Sequence, residues 1–306
     1  MKIQGKNLGT LFLAPMAGVS EIGFRTVCKM AGADLTYTEM VNSAGLVRNN
    51  QATKELLKTN ILEQPKAVQI FGHNPQEMAN ACTMSELDQF DLIDINFGCP
   101  APKIIKNGDG SALLKQPLLI KDIVEKCVKA TNKPISCKIR MGFNNGENCA
   151  VEIAKICEES GAKLITVHGR TREQMYSGTV NLEAIAKVKA NLKIPVVGNG
   201  DVVDFASYNQ MKQTGVDAVM IGRGALGNPN IFAELKGQEP LNKLELVLKH
   251  IQILKQNFSE SFVNATMKKH LLWYIAGVPG ASKIKLQVAT AKSIEESLQL
   301  IRQILI

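Results

Sequence analysis

One pattern constrains this chain more than any other: a short run of β-branched and other apolar residues, followed by a helix-like stretch, occurs eight times. The runs are Leu11–Pro15, Leu35–Glu39, Ala67–Phe71, Leu92–Asn96, Ile135–Arg140, Leu164–His168, Val196–Asn199 and Ala218–Gly222. Their starts lie 22 to 32 residues apart, except for 43 between the fourth and fifth. Val196-Val197 and Val219-Met220-Ile221 are continuous rather than alternating, the mark of strands buried on both faces in a parallel sheet. The helix-like segments are Glu21–Ala31, Pro75–Ser85, Pro117–Thr131, Ala150–Ser160, Leu182–Ala190 and Asp204–Thr214. Several close on turn signals such as Ser160-Gly161 and Asn132-Lys133-Pro134. Eight βα units in about 235 residues predict an α/β fold of the (β/α)8 TIM-barrel type.

After Pro229 the period stops. Leu244, Val247, Leu248, Ile251 and Leu254 follow helical spacing. A second helix is predicted over about Val263–Ala276, and a third opens on Ser293-Ile294-Glu295-Glu296, the spacing of a capping box. The expected division is a barrel over 1–236 and a small C-terminal helical bundle over 240–306, linked near Gly237–Pro240. The formal net charge is +8. Residues 236–306 carry ten basic and five acidic side chains against 26 and 23 in the rest, so the surplus is concentrated in the tail. That suits a surface for a polyanion.

With 45% hydrophobic and 21% charged residues the chain has material for a large core. No apolar run is long enough for a membrane span, and the N-terminus lacks the pattern of a signal peptide; a cytoplasmic location is expected. The seven cysteines are odd in number and contain no CxxC pair, which argues against a disulfide framework and a structural zinc site. No metal is expected, and the protein is read as a monomer.

In such a barrel the chemistry lies at the C-terminal ends of the strands. Those ends carry Pro15-Met16-Ala17, Glu39-Met40, Gln69, Asn96, Lys138 with Arg140, His168 with Arg170, Asn199-Gly200-Asp201 and Gly222-Arg223-Gly224. The last two groups occupy the loops after strands seven and eight, where barrels often bind phosphate. Their glycines admit backbone N–H groups to phosphate oxygens, and Arg223 supplies a charged fork. Lys138, at a barrel mouth, calls for an anion or an electron-rich ring, and Gln69 suits a planar heterocycle. Cys99 stands in the longest βα connection, Phe97 to about Gln116, with Lys103 and Lys106. A thiol there can be a nucleophile, a proton donor or inert. No histidine adjacent in sequence marks it as a thiolate, so acid catalysis fits at least as well as attack.

These motifs resemble the tRNA-dihydrouridine synthase family, most closely its bacterial B-type subgroup. The resemblance rests on Leu13-Ala14-Pro15-Met16-Ala17-Gly18-Val19, Asp94-Ile95-Asn96-Phe97-Gly98-Cys99-Pro100, Gly110-Ser111-Ala112-Leu113-Leu114, Cys137-Lys138-Ile139-Arg140 and Thr166-Val167-His168-Gly169-Arg170-Thr171-Arg172. It continues through Gly198-Asn199-Gly200-Asp201, Met220-Ile221-Gly222-Arg223-Gly224 and, in the tail, Lys269-His270-Leu271-Leu272-Trp273-Tyr274. It implies FMN as the phosphorylated ligand, with Pro15, Met16 and Ala17 against the ring. Gln69 and Lys138 would bond its polar edge, and Asn199, Gly200, Asp201, Gly222 and Arg223 its phosphate end. NADPH would reduce the flavin; an extruded uridine of tRNA would then take hydride at C6 and a proton at C5 from Cys99. Asn96, His168 and Arg170 are expected at the uracil edge, His168 also against the cofactor. Lys103, Arg140, Lys268 and Lys269 are expected to contact the RNA substrate, and Trp273 and Tyr274 to belong to the core of the bundle. The Lys103–Asp109 loop is less basic than is usual in the family, and Met267-Lys268-Lys269 lacks an arginine common there.

Three other readings compete. A flavin barrel acting on free pyrimidines, like dihydroorotate or dihydropyrimidine dehydrogenase, shares the phosphate loops and a loop thiol but needs no basic tail. A non-catalytic tRNA-binding barrel would hold no flavin. A flavin-free aldolase or isomerase using Lys138 leaves Cys99 and the phosphate loops without a role.

Overall fold

The structure, a computed structural model, describes residues 1–305. Eight parallel strands close into a barrel in chain order. They are β1 (Leu11–Leu13), β2 (Leu35–Asn42), β3 (Lys66–Phe71), β4 (Leu92–Phe97), β5 (Ile135–Gly142), β6 (Leu164–Thr171), β7 (Val196–Asn199) and β8 (Ala218–Ile221). The main barrel helices are α1 (Ile22–Met30), α2 (Pro75–Cys82), α3 (Pro117–Ala130), α4 (Ala150–Glu159), α5 (Leu182–Asn191) and α6 (Phe205–Gln213). The predicted strands and barrel helices all form, with ends shifted by at most three residues.

The continuous apolar runs conceal a period of two that builds the site. Outward residues such as Leu11, Leu13, Val68, Ile70, Ile93 and Ile95 pack against the helices. Inward residues at the bottom of the barrel, among them Phe12, Leu35, Ala67, Leu92, Leu164, Val197 and Ala218, form a separate core. Ile3 and Leu8, from an N-terminal hairpin (Lys2–Ile3 paired with Lys6–Asn7), close that end. Strands of two residues carry no periodicity, so this plug leaves no pattern in the sequence. Two residues further along β3, β4, β6 and β7 the inward face turns polar, at Gln69, Asp94, Thr166 and Asn199. Register places Gln69 beside Asp94, Asp94 beside Ser136, Asn96 beside Lys138, Arg140 beside His168, and His168 beside Asn199.

The tail has four helices, not three: α7 (Lys243–Asn257), α8 (Glu260–Tyr274), α9 (Ala281–Thr290) and α10 (Ile294–Leu305). The unexpected α9 buries only Ala281, Ile284 and Val288, an apolar stripe too sparse for the periodic reading to detect. Val247, Leu254, Val263, Met267, Leu271, Val288 and Ile301 make the core of the tail, which Ile22 of α1 joins from the barrel. None of the described helices is long and apolar enough to cross a membrane.

Candidate active site

The C-terminal mouth of the barrel opens into a cavity of about 880 Å³. Pro15, Met16, Ala17, Gln69, Asn96, Cys99, Lys138, Arg140 and His168 line it, as do Asn199, Gly200, Asp201, Gly222 and Arg223. The strand-end register expected from the sequence therefore converges on one space.

Cys99 is fixed from three directions. Asn96 Oδ1 accepts the backbone N–H groups of Gly98 (3.0 Å) and Cys99 (2.9 Å), so Asn96 shapes the turn that presents the thiol. Arg140 Nε donates to Gly98 O at 2.8 Å, and Ser111 donates to Cys99 O from Oγ (2.8 Å) and N (3.1 Å). The connection from Gly98 to Gln116 is not an irregular lid. It forms a short helix, Pro102–Lys106, then a 3-10 turn, Gly110–Lys115, that returns to the thiol. Gly110 allows that return: its φ is +60°, and a Cβ there would stand 2.9 Å from Cys99 O. Lys103 lies exposed on the short helix, outside the cavity lining.

Behind Asn96 runs a buried relay of hydrogen bonds. Asn96 Nδ2 donates to Gln69 Oε1 (2.8 Å), Gln69 Nε2 to Asp94 Oδ2 (2.7 Å), and Ser136 Oγ to Asp94 Oδ1 (2.5 Å). Neither Asp94 nor Ser136 is given a role by the sequence motifs. Each lies two residues before a residue that those motifs select, Asn96 and Lys138, so the inward period of two was the signal. Lys138 Nζ donates to Asn199 Oδ1 (3.0 Å), and Asn199 Nδ2 to Met220 O (2.8 Å).

Burial suppresses charge throughout this wall. It pushes Asp94 up to about 6 against the hydrogen bonds of Gln69 and Ser136. It pulls Lys138 down to about 8, aided by nearby Arg140. It holds His168 well below the usual imidazole range, with Lys138 and the arginines adding to the effect. The Cys99 thiol is pushed up by burial, against an opposing backbone hydrogen bond and the nearby Arg140 and Lys138, and keeps its proton at neutral pH.

The wall after β7 and β8 is built differently. Asp201, at φ +52°, accepts from Arg170 Nη1 at 2.8 Å, pairs with Arg170 Nη2, and accepts from Arg223 Nη2 at 2.8 Å. Arg170 is 2% exposed; its remaining donors reach Ser177 O (3.0 Å) and Gly178 O (2.6 Å). It lies behind the cavity wall rather than at an uracil edge, because Asp201 and two carbonyls use up its fork. Arg140 is also largely spent on backbone, through Thr171 O (2.8 Å) and Met175 O (2.9 Å).

Two aromatic residues not assigned to the site from sequence line the cavity. The Tyr176 ring lies 4.8 Å from the Arg223 guanidinium carbon and 5.8 Å from that of Arg140. Trp273 reaches the cavity from α8, whereas the sequence reading placed it in the bundle core; Tyr274 is buried as expected. Of the two tail lysines, Lys268 is half-buried, while Lys269 Nζ is hydrogen-bonded to Gly18 O of the barrel. Glu21, His250 and His270 hold their ligand-type atoms within 4.8 Å of one another. This buried cluster serves as a seam: Glu21 caps α1 through Gly23 N and Phe24 N, and His250 Nε2 lies 2.6 Å from Glu21 Oε1. His250 Nδ1 meets Tyr274 Oη at 3.1 Å.

A cofactor of the expected kind meets suitable groups here. His168 Nε2 is buried and has no partner within the protein, although its ring faces the same mouth as the Lys138 ammonium. Beside Met16, Gly222 leaves a cradle in which an added Cβ would already meet Met16 Sδ and Ala14 Cβ at 3.6 Å.

Comparison with known proteins gives this geometry a family. The 2-naphthoyl-CoA reductase structure is similar in fold, with a TM-score of 0.60 at 10% identity, covering 78% of this chain and 52% of that one. The tRNA-dihydrouridine synthase B of Pasteurella multocida is 39% identical over 280 residues, 88% of this chain and 84% of that protein. Its Pseudomonas aeruginosa counterpart is 35% identical over 304 residues, 96% of this chain and 92% of that protein. A probable tRNA-dihydrouridine synthase of Rickettsia conorii is 37% identical over 287 residues, 90% and 87% of the two chains. The family model described as "Dihydrouridine synthase (Dus)" matches residues 12–305. From the first barrel strand to the last tail helix, this chain belongs to the dihydrouridine synthase family, in its B-type group.

Proposed function

We propose that this protein reduces the C5–C6 double bond of uridines in tRNA, using FMN that NADPH has reduced. The observation that carries the reading is the placement of Cys99, its backbone turn held by Asn96, Arg140 and Ser111, at a cavity that also presents an orphaned imidazole nitrogen and a lysine.

Reduced FMN supplies the hydride for C6 of the uracil. Pro15, Met16 and Ala17 would support its ring. Lys138 and the unpartnered His168 Nε2 present donors to its polar edge, and Gly200, Gly222 and Arg223 would cradle the phosphate. Asp201 holds Arg223 at the rim, and a bound phosphate would take over part of that pairing. Cys99 Sγ gives its proton to C5, so one hydride and one proton complete the reduction. The Cys99 sulfur carries the negative charge until water restores its proton, and the Arg140 and Lys138 charges nearby favour that thiolate. The uridine must leave its stack to enter so enclosed a space. The basic tail, with half-buried Lys268, and exposed Lys103 would engage the polyanion around it.

The test is direct. The freshly purified protein is expected to show the absorbance of oxidised flavin, bleached by NADPH under anaerobic conditions, and to add dihydrouridine to tRNA from a strain lacking the enzyme. Well-folded protein without flavin, or a flavoprotein that reduces free pyrimidines and leaves tRNA untouched, would overturn the reading.

A further inference from the structure

The β1–α1 loop closes on itself. Val19 N and Ser20 N donate to Met16 O at 3.0 and 2.9 Å, and Met16 N donates to Ser20 Oγ at 2.9 Å. Pro15, Met16 and Ala17 present this turn to the cavity. Its outermost peptide groups belong to Gly18, whose φ of +71° is left-handed. Gly18 N–H donates to Glu39 Oε2 on β2, and Gly18 O accepts from Lys269 Nζ on α8. One residue of the loop is thus held from two sides, by the barrel and by the tail.

The same face of α8 is anchored twice more. His270 packs between Phe24 of α1 and Trp273, with ring centroids 5.1 Å away in each case. Trp273 lines the cavity, and its carbonyl stands against Gly227 so closely that a Cβ there would lie 2.1 Å from Trp273 O. Positions 269, 270 and 273 share one helical face, so α8 meets the barrel at three points around the flavin-bearing turn.

We propose that Lys269 is a positioning residue: through Gly18 it sets the Pro15–Ala17 turn on which the flavin ring rests, and so ties the RNA-facing tail to the cofactor site. A half-buried ammonium on a carbonyl makes a charge-assisted bond of low mobility, whereas a lysine reserved for phosphate would stay free in solvent. The role rests on the flavin reading above.

The test uses the holoprotein. Diluted enzyme releases FMN, whose fluorescence recovers as it leaves the site, giving a dissociation rate. Lys269→Met is expected to raise that rate at least ten-fold, and Lys269→Arg to restore it to within about three-fold of wild type. Lys292→Met, which removes an equal charge from an exposed tail position, is expected to leave it unchanged. Should Lys269→Met fail to fold, Glu39→Met removes the opposite hold on Gly18 and is expected to show the same faster release. FMN release within two-fold of wild type in the folded variant overturns the proposal, whatever happens to tRNA affinity. A wild-type protein that binds no FMN instead overturns the flavin reading itself.

Discussion

The two walls of the cavity solve the problem of burying polar groups in opposite ways. On the thiol wall, Asp94, Gln69, Asn96 and Ser136 form a relay of hydrogen bonds, and burial drives Asp94, Lys138, His168 and Cys99 towards their neutral forms. On the phosphate wall, Arg170, Asp201 and Arg223 stay ionised and paired, with Arg223 half-exposed. On the thiol wall Cys99 and His168 are uncharged at neutral pH, so the thiol holds a proton for transfer to carbon. On the FMN reading, a phosphate at the charged wall would take over part of the carboxylate pairing. One wall would then deliver the proton and the other anchor the cofactor.

The largest expected break comes on the thiol wall. Cys99→Ala should lower dihydrouridine formation by roughly 10²–10⁴-fold, the usual worth of a positioned general acid. Flavin content should stay at the wild-type level, measured by absorbance. Next, Asn96→Ala strips the acceptor from two backbone N–H groups and the donor from Gln69. Losing such buried partners costs about 1–3 kcal/mol, so turnover should fall about ten- to hundred-fold while FMN stays bound. The phosphate wall should show the reverse split. Arg223→Ala should weaken FMN binding by about 1.5–3 kcal/mol, a charged hydrogen bond's worth, yet leave turnover nearly intact at saturating FMN.

The smallest effect concerns pH. Lys138 lies at about 8, below the ordinary lysine value, so its ammonium is present below that pH and lost as pH rises through it. FMN affinity is expected to decline modestly above about pH 8 in the wild type, and Lys138→Met should flatten that limb. Cys99, on the same wall, gives the opposite expectation: its pKa, raised by burial, keeps the thiol protonated over the neutral range.

Much of this was legible in the sequence, for physical reasons. Buried parallel strands announce themselves as apolar runs, and their C-terminal ends in a barrel share one face, so Gln69, Asn96, Lys138, His168 and Arg223 could be placed together without coordinates. What escaped depends on side-chain direction and on contacts distant in sequence. Arg170 ends the same strand as His168 but spends its fork on Asp201 behind the wall. Asp94 hides within an apolar run, although the inward period of two points to it. Trp273 and Lys269 belong to the site only because α8 packs on the β1 loop, a contact across 251 residues. That contact also changes what a tail deletion would mean: removing residues 240–306 takes Trp273 from the cavity lining and Lys269 from Gly18 together with the basic surface, so lost activity would not separate RNA binding from flavin binding.

A single turnover decides whether Cys99, on the thiol wall, is the proton donor. Enzyme reduced anaerobically is mixed with unmodified tRNA, and flavin reoxidation is followed in wild type and Cys99→Ala. Rapid reoxidation with dihydrouridine formed is expected in the wild type, and a flavin that stays reduced in the variant. Reoxidation of the variant at the wild-type rate, with dihydrouridine as product, would contradict it.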